Sequence, residues 1–394
     1  MEEIFISKIH INKVRHLENV DILLSEKERK HLILTGKNGS GKTSLHNCIA
    51  DKLYLIYLSD VEYVRNNSGN KEETIEEIIQ FTQGTDKTAN IRLSFNLPEL
   101  LPFHVTNASF IFLSLSAKRR VEFSKPDFLR KIDINHYFHN HEKANRNFID
   151  YLVNLRAERS FATEEKDNTK VSKIDNWFLK FENALRHIFD EPNLVLEFVR
   201  DNFQYNFYIN LPNREPFDFL NLSDGYSSIL DIVSEIMIRM ESKASQVYDL
   251  QGIVLIDEIE THLHIDLQKK ILPFLTSFFP KIQFIVTTHS PFVLSSVNNA
   301  VIFDLETKQR VEDLSGYSVE GIVESYFDVD QYSDEIKAKL DEYETLLNKS
   351  DLTSEEKERK LDLKIYFKDN IAKTLSPELS LRIKELETQK LVIQ

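Results

Sequence analysis

Eight consecutive residues, Gly36-Lys37-Asn38-Gly39-Ser40-Gly41-Lys42-Thr43, satisfy the spacing G-x-x-x-x-G-K-[ST] in full. The chemistry this spacing serves is the holding of a polyphosphate. Glycines let successive backbone N–H groups turn inward toward phosphate oxygens. A helix beginning there adds the partial positive charge of its N-terminus. Lys42 is expected to bridge the β- and γ-phosphates, and the Thr43 hydroxyl to ligate Mg²⁺. Glycine usage sharpens this reading. The chain has 9 glycines in 394 residues, where an average usage of about 7% would give about three times as many. Three of them lie in this one loop, and a fourth, Gly225, stands in Leu222-Ser223-Asp224-Gly225.

Two further clusters carry reactive groups. Ile253-Val254-Leu255-Ile256 ends in Asp257-Glu258. An apolar strand of this kind delivers the carboxylates to its C-terminal tip, where open α/β sheets bind ligands. Asp257 would hold Mg²⁺, and Glu258 would act as general base on the attacking water. Phe284-Ile285-Val286-Thr287-Thr288 ends in His289, placed to hydrogen-bond a γ-phosphate. Ser290-Pro291 then supplies an N-cap and first-turn pair for a helix.

These groups need elements to position them. Leu32–Thr35 reads as a buried strand, and Leu45, Ile49 and Leu53 share one face of the helix after the loop. Cys48 lies beside that face and reads as core filling. After Gly225, Ile229, Ile232, Val233, Ile236 and Met237 recur at helical spacing, so Leu222–Gly225 caps a second helix N-terminus suited to phosphate. Residues 89–96 alternate as a half-exposed strand does, and Phe110–Leu113 is another strand. Lys118-Arg119-Arg120 after it reads either as a phosphate contact or as a solvated strand end. Residues 125–190 read as a helical insertion around Phe148, Tyr151, Leu152, Leu155, Trp177, Phe178 and Phe181. His136, His139 and His141 read as an exposed loop. From about 325 the chain turns charged and helical, with Ile336, Leu340, Tyr343 and Leu347 on one face. A capping box stands at Thr353–Glu356, and a last helix starts at Ser376-Pro377.

Composition narrows the classes. The net charge of −14 argues against a general nucleic-acid coat. One cysteine excludes a disulfide framework and a cysteine-ligated zinc site. There is no apolar run of about 18 residues and no secretory start, which points to a cytoplasmic protein without membrane contact.

In order and spacing these motifs resemble ATP-binding-cassette ATPase heads of the SMC, RecF and OLD branch. Gly36–Ser44 corresponds to Walker A, with Thr43 and Ser44 closing it, and Leu222–Tyr226 to the signature. Ile253–Glu258 corresponds to Walker B, and His289 to the switch histidine. Glu260-Thr261-His262-Leu263-His264 resembles the E-x-H-L-H stretch of OLD-like proteins. Ile9–Arg15 is similar to the opening strand of RecF-type heads. The resemblance implies an α/β P-loop ATPase head over 1–325, a mixed sheet with an antiparallel lobe, and a helical C-terminal segment over 326–394. It implies ATP and Mg²⁺ as cofactors, with Ser223, Asp224 and Gly225 covering the nucleotide of a second copy in a head-to-tail dimer. It also brings Arg15 and His16 toward adenine or its phosphates. The family pattern has glycine where Asp224 stands, and a carboxylate there repels phosphate unless it points away, which predicts slow hydrolysis. The stretch holding Gln80 and Gln83 offers no convincing Q-loop glutamine.

The 180 residues from Thr43 to Ser223 leave no room for long coiled-coil arms. Compact heads of this type resemble the ATPase components of bacterial anti-phage systems such as Septu, PARIS and retron-associated modules. That resemblance implies an ATPase that restrains or recruits a nuclease encoded nearby. The alternative is a RecF-like DNA-repair clamp, which needs a local basic groove on DNA. A self-contained OLD nuclease is disfavoured. Asp328-Val329-Asp330 is a short match, and the helical tail leaves no room for a nuclease sheet.

Overall fold

The computed structural model describes residues 2–66, 90–101, 109–119, 123–124, 143–201, 204–243, 250–317, 319, 321–322, 334–349 and 351–374. Gln80, Gln83, Arg120, His136, His139, His141, Asp328–Asp330 and the helix expected from Ser376 lie outside the described residues. The chain divides into two compact units, Met1–Val319 and Glu320–Gln394.

The first unit is built on a six-stranded sheet of order β12-β11-β3-β10-β9-β5. Its strands are β3 (His31–Thr35), β5 (Phe110–Leu115), β9 (Gln251–Ile256), β10 (Ile282–Thr287), β11 (Ala300–Asp304) and β12 (Arg310–Val311). All neighbours are parallel except β12, which runs antiparallel to β11. Every residue of β3, β9 and β10 is buried, the continuous apolar pattern expected of a sheet covered on both faces. Gly252 is required within β9, because a Cβ there would lie 2.3 Å from the Ile111 carbonyl oxygen of β5. The order sets β3, β10 and β9 side by side, so the loops at their C-terminal ends meet.

An antiparallel sheet of order β2-β1-β4 joins β1 (Ile6–Val14), β2 (Leu17–Leu23) and β4 (Ile91–Phe95). It packs its apolar face into one core with Leu32, Leu34, Leu45, Ile49 and Leu53. Cys48 packs half-buried against that core, and burial pushes its thiol pKa up. Gln283 of β10 stitches the two sheets together. Its Oε1 accepts from Ile6 N at 2.8 Å, and its Nε2 donates to Ile6 O at 2.9 Å. Buried polar groups persist where they are paired in this way.

The loop after β3 leads into α1 (Lys42–Asn66). The insertion contributes a 3-10 turn (Ala144–Asn147), α2 (Phe148–Glu164) and α3 (Asn168–Phe189). Asp167 caps α3, its side chain accepting from Lys170 N at 3.0 Å. A three-stranded antiparallel sheet follows, of β6 (Val195–Asp201), β7 (Gln204–Asn210) and β8 (Phe217–Asp218). Phe148, Trp177, Phe178, Phe181 and Phe207 pack ring on ring between these elements. Each buried aromatic of this size contributes roughly 1.5–3 kcal/mol.

Helix α4 (Asp224–Lys243) carries two buried stripes. Ile229, Ile232, Val233, Ile236 and Met237 are apolar, while Ser228, Asp231, Glu235 and Arg239 are polar. The polar stripe fastens the insertion. The Glu235 carboxylate accepts from Ala144 N at 3.1 Å and Asn145 N at 2.9 Å. Asp231 accepts from Asn145 Nδ2 at 2.9 Å and Lys143 Nζ at 3.1 Å. The remaining helices among the described residues of this unit are α5 (Ile265–Phe278) and the short α6 (Pro291–Leu294).

The second unit pairs α7 (Asp334–Asn348) with α8 (Ser354–Thr374) around Tyr343, Leu346, Leu347, Leu363 and Phe367. The capping box forms at the start of α8. Thr353 N donates to Glu356 Oε2 at 2.9 Å, and Glu356 N to Thr353 Oγ1 at 3.3 Å. No described helix is long and apolar enough to cross a membrane.

Candidate functional site

The loop between β3 and α1 adopts the conformation its glycines permit. Gly36, Gly39 and Gly41 have φ of 132°, 87° and 95°. A Cβ on Gly36 would meet Ser40 Oγ at 2.8 Å, whereas a Cβ on Gly39 would meet nothing within 4 Å. The loop is therefore closed on its Gly36 side and open above Gly39. Lys42 is buried and donates from Nζ to Gly36 O at 2.7 Å and Lys37 O at 3.1 Å. Burial lowers its pKa, against the opposing carboxylates of Glu258, Glu260, Asp257 and Asp304. Its two hydrogen bonds aim the Lys42 side chain across the loop.

Ser40 gives an independent test of what the loop holds. Its hydroxyl is buried and makes no hydrogen bond. An orphaned hydroxyl beside inward-turned backbone and a cation suits phosphate oxygens as the missing acceptors. Thr43 and Ser44 open α1, and Thr43 Oγ1 lies 3.4 Å from Asp257 Oδ1. A hydroxyl and a carboxylate at this separation form the hard-oxygen set that Mg²⁺ prefers.

Asp257 and Glu258 follow β9 directly, and Thr287 at the end of β10 organises both. Its buried hydroxyl donates to Asp257 Oδ1 at 2.6 Å and accepts from Glu258 N at 2.7 Å. Glu258 has φ of 46°, a left-handed backbone that a non-glycine residue adopts at a cost of about 1–3 kcal/mol. Its carboxylate is half-buried and accepts from Thr261 Oγ1 at 3.2 Å. Glu260 braces the next strand end, accepting from Thr288 Oγ1 at 2.8 Å and His289 N at 2.6 Å. Burial, and then the charge of Lys42, lower the His289 pKa, so its imidazole is neutral near pH 7. Ser290 caps α6 as its sequence predicts, accepting from Phe292 N and Val293 N at 3.2 and 3.4 Å.

The structure thus brings Gly36–Ser44, Asp257, Glu258 and His289 to the ends of three adjacent strands. Ser223, Asp224 and Gly225 stand apart. Among the described residues no hydrogen bond joins them to the phosphate loop. They open α4 against the segment after β9, where a Cβ on Gly225 would meet His262 O and Leu267 Cδ1 at 3.2 Å. A cleft of about 560 Å³ lies at this helix end, lined by Ser223, Gly225, His262, His264, Lys269 and Lys270 among others. Asp224 is exposed in the first turn of α4. The tight turn between β1 and β2 brings His16 Cε1 to 3.7 Å from a Cβ on Gly41, at the edge of the loop.

One residue departs from both sequence readings. Arg119 is neither a solvated strand end nor an exposed phosphate contact: it is 5% exposed, and its guanidinium meets backbone carbonyls. Burial lowers its pKa, countered by Asp231, Glu260, Asp257 and Glu258. No local signal distinguishes this arginine from its basic neighbours.

Residues 32–295 match the family described as "AAA domain, putative AbiEii toxin, Type IV TA system". The chain is 28% identical over 375 residues to a "Septu protein PtuA" of Bacillus mycoides, covering 90% of this chain and 49% of that protein. It is 35% identical over 152 residues to the "Retron Ec83 probable ATPase" of Escherichia coli, covering 36% of this chain and 28% of that one. The chain therefore spans about half the length of the first relative and less of the second. Among solved structures it is similar to an SMC head bound to the C-terminal winged-helix domain of ScpA. That match has 12% identity and a TM-score of 0.39, over 76% of this chain and 94% of that one. With the family match spanning most of its length, the chain belongs to this AAA-type ATPase family.

Proposed function

We propose that this AAA-family chain binds ATP and Mg²⁺ at the Gly36–Ser44 loop and hydrolyses the nucleotide as a head-to-tail dimer. In this reading it thereby controls a partner effector, a nuclease, in bacterial anti-phage defence. One observation carries the catalytic part: Lys42, Thr43, Asp257 and Glu258 converge at the C-terminal ends of β3 and β9, with Thr43 Oγ1 3.4 Å from Asp257 Oδ1. The loop N–H groups, Ser40 and Lys42 would hold the triphosphate, and Thr43 and Asp257 the cation. Bound there, MgATP supplies the phosphoanhydride bond and neutralises charge on the leaving oxygens. Glu258 takes a proton from water at its carboxylate. Neutral His289 donates a hydrogen bond toward the phosphate end of the site.

The dimer reading rests on the α4 helix end opening into a cleft that none of the chain's own loop residues lines. A helix N-terminus flanked by Ser223, His262, His264 and Lys269 suits the phosphates of a second copy. The defence reading rests on similarity to the Septu and retron proteins. Lys42→Ala is expected to abolish ATP-analogue binding. Glu258→Gln is expected to keep binding, stop turnover and accumulate dimers in sedimentation velocity with ATP. A Glu258→Gln protein that stays monomeric with ATP refutes the dimer. Plaque assays in cells carrying the chain with its genomic neighbours test the defence role. A wild-type chain that gives no protection refutes it, and protection that survives Lys42→Ala refutes its dependence on ATP binding.

A further inference from the structure

We propose that Arg119 is the positioning residue of the hydrolytic carboxylate: its guanidinium holds the backbone turn that aims Glu258 and ties that turn to α4. The inference rests on the assignment of Glu258 as base made above. Arg119 Nη1 donates to Asp257 O at 2.6 Å and Ser116 O at 3.1 Å. Its Nη2 donates to Glu258 O at 2.7 Å and Ile259 O at 3.3 Å. Its Nε donates to Ser228 Oγ on α4 at 3.4 Å, and that hydroxyl donates to Thr261 O at 3.4 Å.

Successive carbonyls of an extended chain point to opposite sides. Here the carbonyls of Asp257, Glu258 and Ile259 converge on one cation because Glu258 is left-handed, with φ of 46°. Three carbonyl dipoles aimed at one point repel each other unless a donor stands at the focus. A planar guanidinium with donors in a fixed fork satisfies them together, which the compact ammonium of lysine cannot. Burying a cation is unfavourable without such partners, so the arginine and the turn stabilise each other. The bond to Ser228 joins the same turn to the helix whose N-terminal end carries Ser223 and Gly225. Arg119 touches no reacting atom and acts through Glu258.

The test uses the full chain with Arg119→Lys, Arg119→Ala and their combinations with Glu258→Gln. In nucleotide-free protein, hydrogen exchange at the Ile259 and Thr261 amides is expected to rise at least about tenfold in Arg119→Lys, with residues 32–46 unchanged. KM and ATP-analogue affinity are expected to stay within about threefold while kcat falls about 100-fold, the scale of a displaced general base. Added to Glu258→Gln, Arg119→Lys is expected to leave the residual single-turnover rate unchanged, because it acts through the carboxylate already removed. Unaltered exchange, a kcat within about threefold of wild type, or losses that multiply in the double variant would each overturn the proposal. The underlying assignment fails separately, through a Glu258→Gln protein that still turns over. The exchange measurement judges the clasp in that case too. If Arg119→Ala does not fold, the lysine variant decides.

Discussion

Replacing Thr287 with valine removes one hydroxyl and keeps the shape of the side chain. Thr287 is fully buried, and its hydroxyl serves both acidic residues, donating to Asp257 Oδ1 at 2.6 Å and accepting from Glu258 N at 2.7 Å. A bond to a charged acceptor is worth about 1.5–3 kcal/mol, and an orphaned buried N–H costs about 1–3 kcal/mol. The two together put the loss near 3–5 kcal/mol. Trp177 is the single tryptophan of the chain and is buried within the same compact unit, so its fluorescence follows that unit during urea unfolding. With a slope of about 3 kcal/mol per molar urea, the midpoint is expected to fall by about 1 M or more. Thr287→Ser keeps the hydroxyl and loses one methyl, about 0.8 kcal/mol, so its midpoint should move by only about 0.3 M. A valine variant as stable as the serine variant would show that the hydroxyl does not hold the acidic pair.

Other expectations follow from equally local features. Gly252→Ala drives a Cβ to 2.3 Å from the Ile111 carbonyl oxygen, so β5 and β9 must separate. We expect a loss of more than about 3 kcal/mol by the same fluorescence assay, as overpacking without a flexible neighbour produces. Gly36→Ala meets Ser40 Oγ at 2.8 Å at a φ of 132°. Strain of about 1–3 kcal/mol should weaken ATP-analogue binding about 10- to 100-fold in a fluorescence titration. His31 is buried, and burial, ahead of the charges of Arg29 and Lys30, pushes its pKa from 6.5 down to about 3. Its Nδ1 accepts from Phe284 N at 3.1 Å, which requires the neutral ring. Between those two values the unfolded chain binds a proton that the folded chain refuses. Stability from this group is therefore complete above 6.5 and is lost as pH falls through the window, by about 2 kcal/mol at pH 5. His31→Asn keeps an acceptor and does not titrate, so the difference between midpoints at pH 7.5 and pH 5 should shrink. An unchanged difference would exclude His31 as the source.

The legible parts of the molecule are those whose constraints are local. Gly36, Gly39 and Gly41 announce a loop with positive φ, and β3, β9 and β10 announce themselves as short, wholly apolar runs before reactive residues. The capping box at Thr353 and the cap at Ser290 formed for the same reason, since each partner is within three residues. What stayed hidden depends on distant partners. Arg119 meets carbonyls 138 to 140 positions away, and nothing beside it in the chain says so. The stripe Ser228, Asp231, Glu235 and Arg239 has the spacing of a solvated helix face, and only its bonds to Lys143, Ala144 and Asn145 explain its burial. Thr287 and Gln283 likewise read as ordinary strand residues until their neighbours across the sheet are known.

The carboxylate of Glu235 grips the insertion by two main-chain amides, those of Ala144 and Asn145. A grip on the main chain is indifferent to which small side chain sits at 144, yet it forbids proline at either position, since proline has no hydrogen to give. Side chains elsewhere on that lobe can therefore change without disturbing these two bonds to the helix that begins at the serine-aspartate-glycine turn.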